Sequence, residues 1–266
     1  MSRPFPEIAE LAELIADRVC PASPVDPEAI AREEGISWRY GNYGDGFDGL
    51  LAHRKGKFRV FCNAERGSKR GRFTFGHELG HYFIDEHRLA IATQGIRHLS
   101  VGEWHSDAVV ERQADTFAAN LLMPTARFRE FTRSLPPGLA AVVPAANKFA
   151  VSVTSAAFRF VQTTPTCCAL VMWKPDGQCS WSWGSDTAYL MGLRRAIRQL
   201  PLPSDDFATA NALAGDRPPA QGFFEKATTA STWFPSAGSR GDAIMMEQAM
   251  RLGDYGTLTM LVPSQF

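Results

Sequence analysis

Two histidines and a glutamate, His77, Glu78 and His81, stand in the spacing His-Glu-x-x-His between Phe73 and Phe83. On an α-helix, residues four apart lie on one face about a turn apart, so both imidazoles can reach the same metal ion. Neutral imidazole suits zinc, and a catalytic zinc site needs three protein ligands plus an open position. The glutamate beside the first histidine can accept a proton from an attacking water. The spacing therefore predicts hydrolysis assisted by a bound zinc ion.

An apolar helix, predicted from Phe73 to about Glu86, must carry this motif. Its apolar residues leave little room for a solvated face; they are Phe73, Phe75, Leu79, Phe83 and Ile84. Histidine and glutamate side chains buried there without partners would be costly, and a bound metal removes that cost. His87, at the predicted end of this helix, is interpreted as a favourable charge at a helix C-terminus.

The third zinc ligand must come from another element, and the predicted helix 107–122 offers one. Glu111 and Asp115 lie four apart on it and share a face. We expect Glu111 to bind the metal and Asp115 to accept the outer ring proton of a ligand histidine. His105 is the alternative third ligand. His105 or Tyr82 is also a candidate donor to the oxyanion that forms during hydrolysis.

The rest of the chain alternates between helical and strand patterns. Before the motif we predict helices 6–19 and 27–34, strands 36–40, 47–53 and 58–63, and a polar loop 65–71. Residues 88–105 show no clear period and are interpreted as irregular, with a short helical pattern at 89–92. After residue 164 the period moves towards two, and strands 168–173, 178–183, 243–251 and 256–262 with a helix 189–200 indicate an antiparallel α+β unit.

Composition and charge narrow the class of protein. The 28 basic and 28 acidic side chains cancel, and 45% hydrophobic with 21% charged residues is ordinary for a globular chain. Zero net charge argues against a protein that mainly coats nucleic acid. The N-terminal stretch lacks the uninterrupted apolar run of a signal peptide, and no window is long enough for a membrane span. Five cysteines without a framework spacing indicate reduced thiols and a cytoplasmic protein.

Three separated blocks of the sequence resemble the ImmA/IrrE metallopeptidases. They are residues 61–66, residues 72–81 and residues 111–124, and the resemblance covers about residues 5–163. It implies a small zincin-like metallopeptidase domain in which His77 and His81 match the motif ligands and Glu78 the catalytic carboxylate. Glu111 matches the downstream acidic block. The activity it implies is zinc-dependent cleavage of a helix-turn-helix transcriptional repressor, encoded nearby, which releases stress-response or mobile-element genes.

The predicted organisation is an α+β chain in three parts. Residues 1–134 form the metallopeptidase domain, 135–163 a helical segment similar to the family's helix-turn-helix, and 164–266 an α+β domain similar by position to a GAF-like sensory domain. Only Lys148 and Arg159 are basic in residues 139–161, so we expect docking rather than direct DNA binding. An alternative function is a non-proteolytic, zinc-stabilised regulator or toxin–antitoxin component that binds a repressor or antitoxin.

Overall fold

The computed structural model describes residues 5–44, 48–94, 98–100, 109–191, 207–234 and 242–264. The chain divides into two compact units. Unit 1 comprises Met1–Phe128 and Ala146–Ser152, and unit 2 comprises Arg129–Ala145 and Val153–Phe266. The expected mixture of helices and sheets is confirmed.

Unit 1 combines helices with a four-stranded sheet. Its elements are α1 (Pro6–Val19), α2 (Pro27–Glu33), β1 (Ser37–Gly41), β2 (Gly49–Arg54), β3 (Lys57–Asn63), α3 (Ser68–Phe83), α4 (Asp85–Gln94), β4 (His98–Ser100) and α5 (Val109–Leu122). The strand order is β1-β3-β2-β4, with β1 parallel to β3 and the other pairs antiparallel. The buried core joins the sheet to α1, α3 and α5 through Leu51, Phe75, Leu79 and Phe117.

Local chemistry accounts for the first helices of unit 1. Pro6 opens α1, where its missing N–H costs nothing, and Ile8, Ala12 and Ile15 form a buried stripe. The carboxylate of Asp26 accepts a hydrogen bond from the backbone N–H of Glu28 at 3.0 Å and so caps α2. Both helices were predicted from these signals to within one residue.

The motif helix departs from its predicted bounds. α3 begins at Ser68 rather than Phe73 and ends at Phe83, so most of the expected loop 65–71 is helical. The first turn of α3 is polar, and Lys69 in it is exposed. A helix prediction that depends on the spacing of apolar residues cannot detect a turn that has none. The chain then forms α4, which takes in the predicted end of the motif helix and the short helical pattern 89–92. The strand β4 was not expected, and it gains its strand conformation by pairing with β2.

Two helices form most of the segment that resembles a helix-turn-helix. After α6 (Thr125–Thr132), α7 (Leu139–Lys148) and α8 (Val153–Thr163) lie at 117° to each other. Ala150 in the turn between them has a φ of 52°. Of the two basic residues in this segment, Arg159 is only 2% exposed, whereas Lys148 is exposed. No single helix of the described residues is long and apolar enough to cross a membrane; α7 and α8 meet that criterion only as a bent pair.

Unit 2 is built on a five-stranded antiparallel sheet of order β6-β5-β9-β8-β7. Its elements are β5 (Ala169–Trp173), β6 (Cys179–Gly184), α9 (Asp186–Leu190), α10 (Ala208–Ala214), β7 (Phe224–Thr229), α11 (Ala230–Trp233), β8 (Ile244–Arg251) and β9 (Thr257–Pro263). The four predicted strands correspond to β5, β6, β8 and β9, whereas β7 and α10 were not predicted. Most of the predicted helix 189–200 lies outside the described residues.

Candidate metal centre

Small residues let α3 and α5 pack closely enough to bring their polar side chains together. A Cβ atom on Gly80 would lie 3.1 Å from the Cα of Ala114 and 3.1 Å from the Cβ of Phe117. One on Gly76 would lie 3.5 Å from the Cβ of Ala118. A side chain at Gly80 would therefore crowd α5, whereas a methyl group at Gly76 would make ordinary van der Waals contact, so the two backbones approach most closely at Gly80.

Three potential ligands converge where these helices meet, namely His77 and His81 of α3 and Glu111 of α5. Nε2 of His77 lies 3.1 Å from Nε2 of His81. The Glu111 carboxylate completes a triangle, with Oε2 3.3 Å from Nε2 of His77 and Oε1 3.5 Å from Nε2 of His81. Both histidines are buried, and the Glu111 side chain is 17% exposed.

This donor set fits a tetrahedral zinc ion. Three nitrogen or oxygen ligands about 2.0–2.1 Å from one tetrahedral zinc lie roughly 3.3–3.4 Å from one another. The two Nε2 atoms lie 3.1 Å apart, and each has a Glu111 carboxylate oxygen near that separation, Oε2 at 3.3 Å from His77 and Oε1 at 3.5 Å from His81. Two imidazoles and one carboxylate leave the fourth position for water or substrate, as a catalytic site requires.

Asp115 holds the first histidine from its outer side. Its Oδ1 lies 2.8 Å from Nδ1 of His77, on the ring edge opposite the one that faces Glu111. Burial by itself lowers the pKa of His77, but the carboxylates of Asp115 and Glu111 outweigh it and raise that pKa to about 10. A metal ion must compete with this proton, because a ligand histidine offers a neutral nitrogen.

Glu78 is fully buried beside the first ligand histidine, against the start of β2. A Cβ on Gly49 would lie 2.7 Å from Oε1 of Glu78 and would also overlap Cγ2 of Thr74, so the carboxylate occupies space that only glycine leaves. Burial, followed by the charge of Glu78, raises the pKa of the Cys62 thiol, which keeps that cysteine an unreactive core residue.

Two of the predicted catalytic residues are not brought to this cluster by the described contacts. The Tyr82 hydroxyl donates a hydrogen bond to Oε2 of Glu34 at 3.4 Å, and the Tyr82 ring packs edge-on against Phe58. Burial and the charge of Glu34 raise the pKa of Tyr82. His105 lies outside the described residues.

Sequence reasoning gave no role at the cluster to three residues that lie near it: His87, Gln113 and Gly49. Nδ1 of His87 lies 3.2 Å from Nδ1 of His81, and its Nε2 lies 3.0 Å from Oε1 of Gln113. His87 was expected at the C-terminus of the motif helix, but it belongs to α4 and is 6% exposed. A spacing of six residues from His81 gives no helical signal, because a helix break separates the two.

Part of this chain is similar to a known protein family, and its fold is similar to that of a solved structure. Residues 41–161 match the model of a metallopeptidase family, the IrrE N-terminal-like domain of peptidase family M78. A solved structure described as a Mycobacterium tuberculosis transcriptional regulator superposes with a TM-score of 0.58 at 13% identity. The match covers 98% of this chain and 82% of that one and, at this identity, shows a shared fold. No curated protein sequence matches the chain.

Proposed function

Since residues 41–161 form a domain of the ImmA/IrrE family, we propose that this chain is a zinc-dependent endopeptidase that cleaves a helix-turn-helix transcriptional repressor. Such cleavage would derepress stress-response or mobile-element genes. The observation that carries the proposal is the triangle of His77, His81 and Glu111 with the buried carboxylate of Glu78 next to it.

The side chains divide the chemistry between holding a metal and moving a proton. When bound, zinc supplies Lewis-acid activation of the scissile carbonyl and of the attacking water. His77 and His81 present Nε2 lone pairs, and Asp115 keeps the proton of His77 on Nδ1. Glu78 accepts the proton of the attacking water and delivers it to the leaving amine. Because Glu78 is buried, its carboxylate meets little competing solvent.

The oxyanion donor is proposed from chain position alone. His105 is retained for this role because it precedes α5, the helix that carries Glu111. Tyr82 is the alternative donor, and its hydroxyl would have to leave Oε2 of Glu34 to take this role.

The proposed partner is a protein, not DNA or a membrane. A transcriptional repressor fits the family and the regulator with a similar fold. The five cysteines, none of them in a disulfide, support the proposal that cleavage takes place in the cytoplasm.

Incubation of the purified, zinc-loaded protein with the helix-turn-helix proteins encoded beside its gene tests the proposal. The wild-type chain should produce defined fragments by mass spectrometry. Glu78→Gln should keep its zinc, measured by elemental analysis, yet cleave roughly 10²–10⁴-fold more slowly because the proton acceptor is gone. Wild-type cleavage by this variant would overturn the mechanism. A stable complex without fragments would support the non-proteolytic regulator instead.

A further inference from the structure

We propose that His87 and Gln113 form a positioning pair that holds the proton of His81 on Nδ1 and thereby presents Nε2 of His81 to the metal. The inference rests on the proposed zinc site but not on repressor cleavage. It assigns a role to a buried histidine that neither the motif nor the downstream acidic block includes.

Three consecutive contacts carry the proposal. Gln113 lies on α5, the helix that supplies Glu111, and its Oε1 is 3.0 Å from Nε2 of His87. The other ring nitrogen of His87 is 3.2 Å from Nδ1 of His81. Nε2 of His81 then faces Nε2 of His77 and the Glu111 carboxylate. The contacts thus link an amide on one helix to a ligand nitrogen on another.

The direction of the hydrogen bonds from His81 through His87 to Gln113 follows from the group at the Gln113 end. Oε1 of Gln113 accepts, so Nε2 of His87 carries the proton and donates. Nδ1 of a neutral His87 is then an acceptor, which receives the Nδ1–H of His81. Nε2 of His81 keeps its lone pair. The reverse polarity, with the Gln113 amide turned over, would place the proton on Nε2 of His81, where a metal must bind.

The two ligand histidines are therefore held by different chemistry. Asp115 is a carboxylate and accepts from Nδ1 of His77 at 2.8 Å. His87 accepts from Nδ1 of His81 as a neutral ring and adds no negative charge. His81 is also the more deeply buried ligand, with a side chain 1% exposed against 7% for His77, so a neutral acceptor suits its surroundings.

Two substitutions of His87 separate positioning from packing. His87→Phe keeps an aromatic ring of similar size next to His81, whose ring centre lies 5.1 Å away, but removes the acceptor. His87→Asn shortens the side chain yet offers Oδ1 close to the place of Nδ1. Zinc affinity, measured by competition with a chromophoric chelator, should fall about 10–100-fold in His87→Phe and recover most of that loss in His87→Asn.

A matched control and the opposing outcomes complete the test. His53 is a histidine of the same unit, and its ring centre lies 4.6 Å from that of Phe58. His53→Phe should therefore leave zinc affinity unchanged. Unchanged affinity in His87→Phe, or equal loss in the Phe and Asn variants, would overturn the positioning role. Failure of the wild-type chain to bind zinc at all would instead refute the proposed function.

The tautomer of His81 provides a readout that packing alone would not move. In ¹⁵N NMR spectra of the metal-free protein, the proton of His81 should reside on Nδ1 in the wild-type chain. It should shift towards Nε2 in His87→Phe, which removes the acceptor for His81, and partly in Gln113→Leu, which removes the acceptor for His87. An Nδ1–H tautomer of equal population in all three proteins would contradict the proposal.

Discussion

Among the described residues, each unit of this protein buries one glutamate completely, Glu78 in unit 1 and Glu247 in unit 2. Glu78 lies next to His77 in a cluster with a half-exposed Asp115 and a partly exposed Glu111. Glu247 lies on the central part of a sheet, with no histidine or cysteine among its described hydrogen-bond partners. Both carboxyls bear the same cost of leaving water, so burial does not distinguish them.

The partners of Glu247 are hydroxyl and backbone groups. Its Oε1 accepts from the backbone N–H of Thr209 at 2.7 Å and from the Thr209 hydroxyl at 2.6 Å. That hydroxyl lies 2.7 Å from the Thr259 hydroxyl, which accepts from Nε1 of Trp173 at 3.0 Å. The network ties α10 to β8, β9 and β5. Glu247 therefore organises a fold, whereas Glu78 adjoins groups able to hold a metal, and the neighbours rather than the burial indicate chemistry.

The largest expected effect comes from separating the helices that assemble the metal cluster. Gly80→Val should destabilise unit 1 by about 3 kcal/mol, because its side chain must overlap Ala114 and Phe117. Zinc affinity should fall at least about tenfold, since the ligands of α3 and α5 move apart. Denaturant unfolding and chelator competition measure the two effects.

A second glycine on the same helix controls that experiment. A Cβ on Gly71 would meet no atom within 4 Å, so Gly71→Ala should leave zinc affinity unchanged and stabilise the helix by up to about 1 kcal/mol. Equal zinc affinity in the Gly80→Val and Gly71→Ala variants would show that close helix packing does not assemble the site.

Displacing Glu78 without touching a ligand should have the next largest effect. Gly49→Ala places a methyl group against Oε1 of Glu78 and Cγ2 of Thr74. A misplaced proton acceptor should slow repressor cleavage roughly 10²-fold, because a shift of about 1 Å can cost that much. Zinc content should stay at the wild-type level. Retained cleavage would mean that the carboxylate position beside β2 is not the reactive one.

Removing the buried acceptor of unit 2 should affect stability but not chemistry. Glu247→Leu leaves both donors of Thr209 without their acceptor and should cost about 1–3 kcal/mol in the free energy of unfolding. Glu247→Gln keeps an acceptor oxygen and should cost less. Neither variant should change zinc affinity; a loss of zinc binding in either would remove the contrast between the two glutamates.

The smallest expected effect is a pH dependence that belongs to Glu247. Burial raises the pKa of Glu247 above its ordinary value, against the opposing hydrogen bonds of Thr209 and the charge of Lys226. As the pH rises, the unfolded protein loses the Glu247 proton at a lower pH than the folded protein does. The free energy of unfolding is therefore greatest below the ordinary carboxyl pKa and decreases as the pH rises towards the folded-state pKa. In Glu247→Gln, unfolding free energies between about pH 5 and pH 8 should fall less than in wild type. An equal decrease of the unfolding free energy with pH in both proteins would exclude Glu247 as the cause of the pH dependence.

Much of the fold could be predicted where the signal is local. Pro6 and Asp26 mark helix starts, and a sequence period that moves towards two after residue 164 predicted β5, β6, β8 and β9. The short strand β4 and the polar first turn of α3 could not be predicted. β4 is a strand because it pairs with β2, and the first turn of α3 has no apolar residues from which a helical period could be detected.

The candidate site shows the same division. By itself the sequence determined that His77 and His81 share one helix face and that Glu111 and Asp115 share another, because residues four apart are neighbours on any α-helix. Only the tertiary structure decided that these faces meet and that His87, Gln113 and Gly49 complete the surroundings. Those contacts join residues from different helices and strands, and they depend on how closely the backbones pack, which no local spacing encodes.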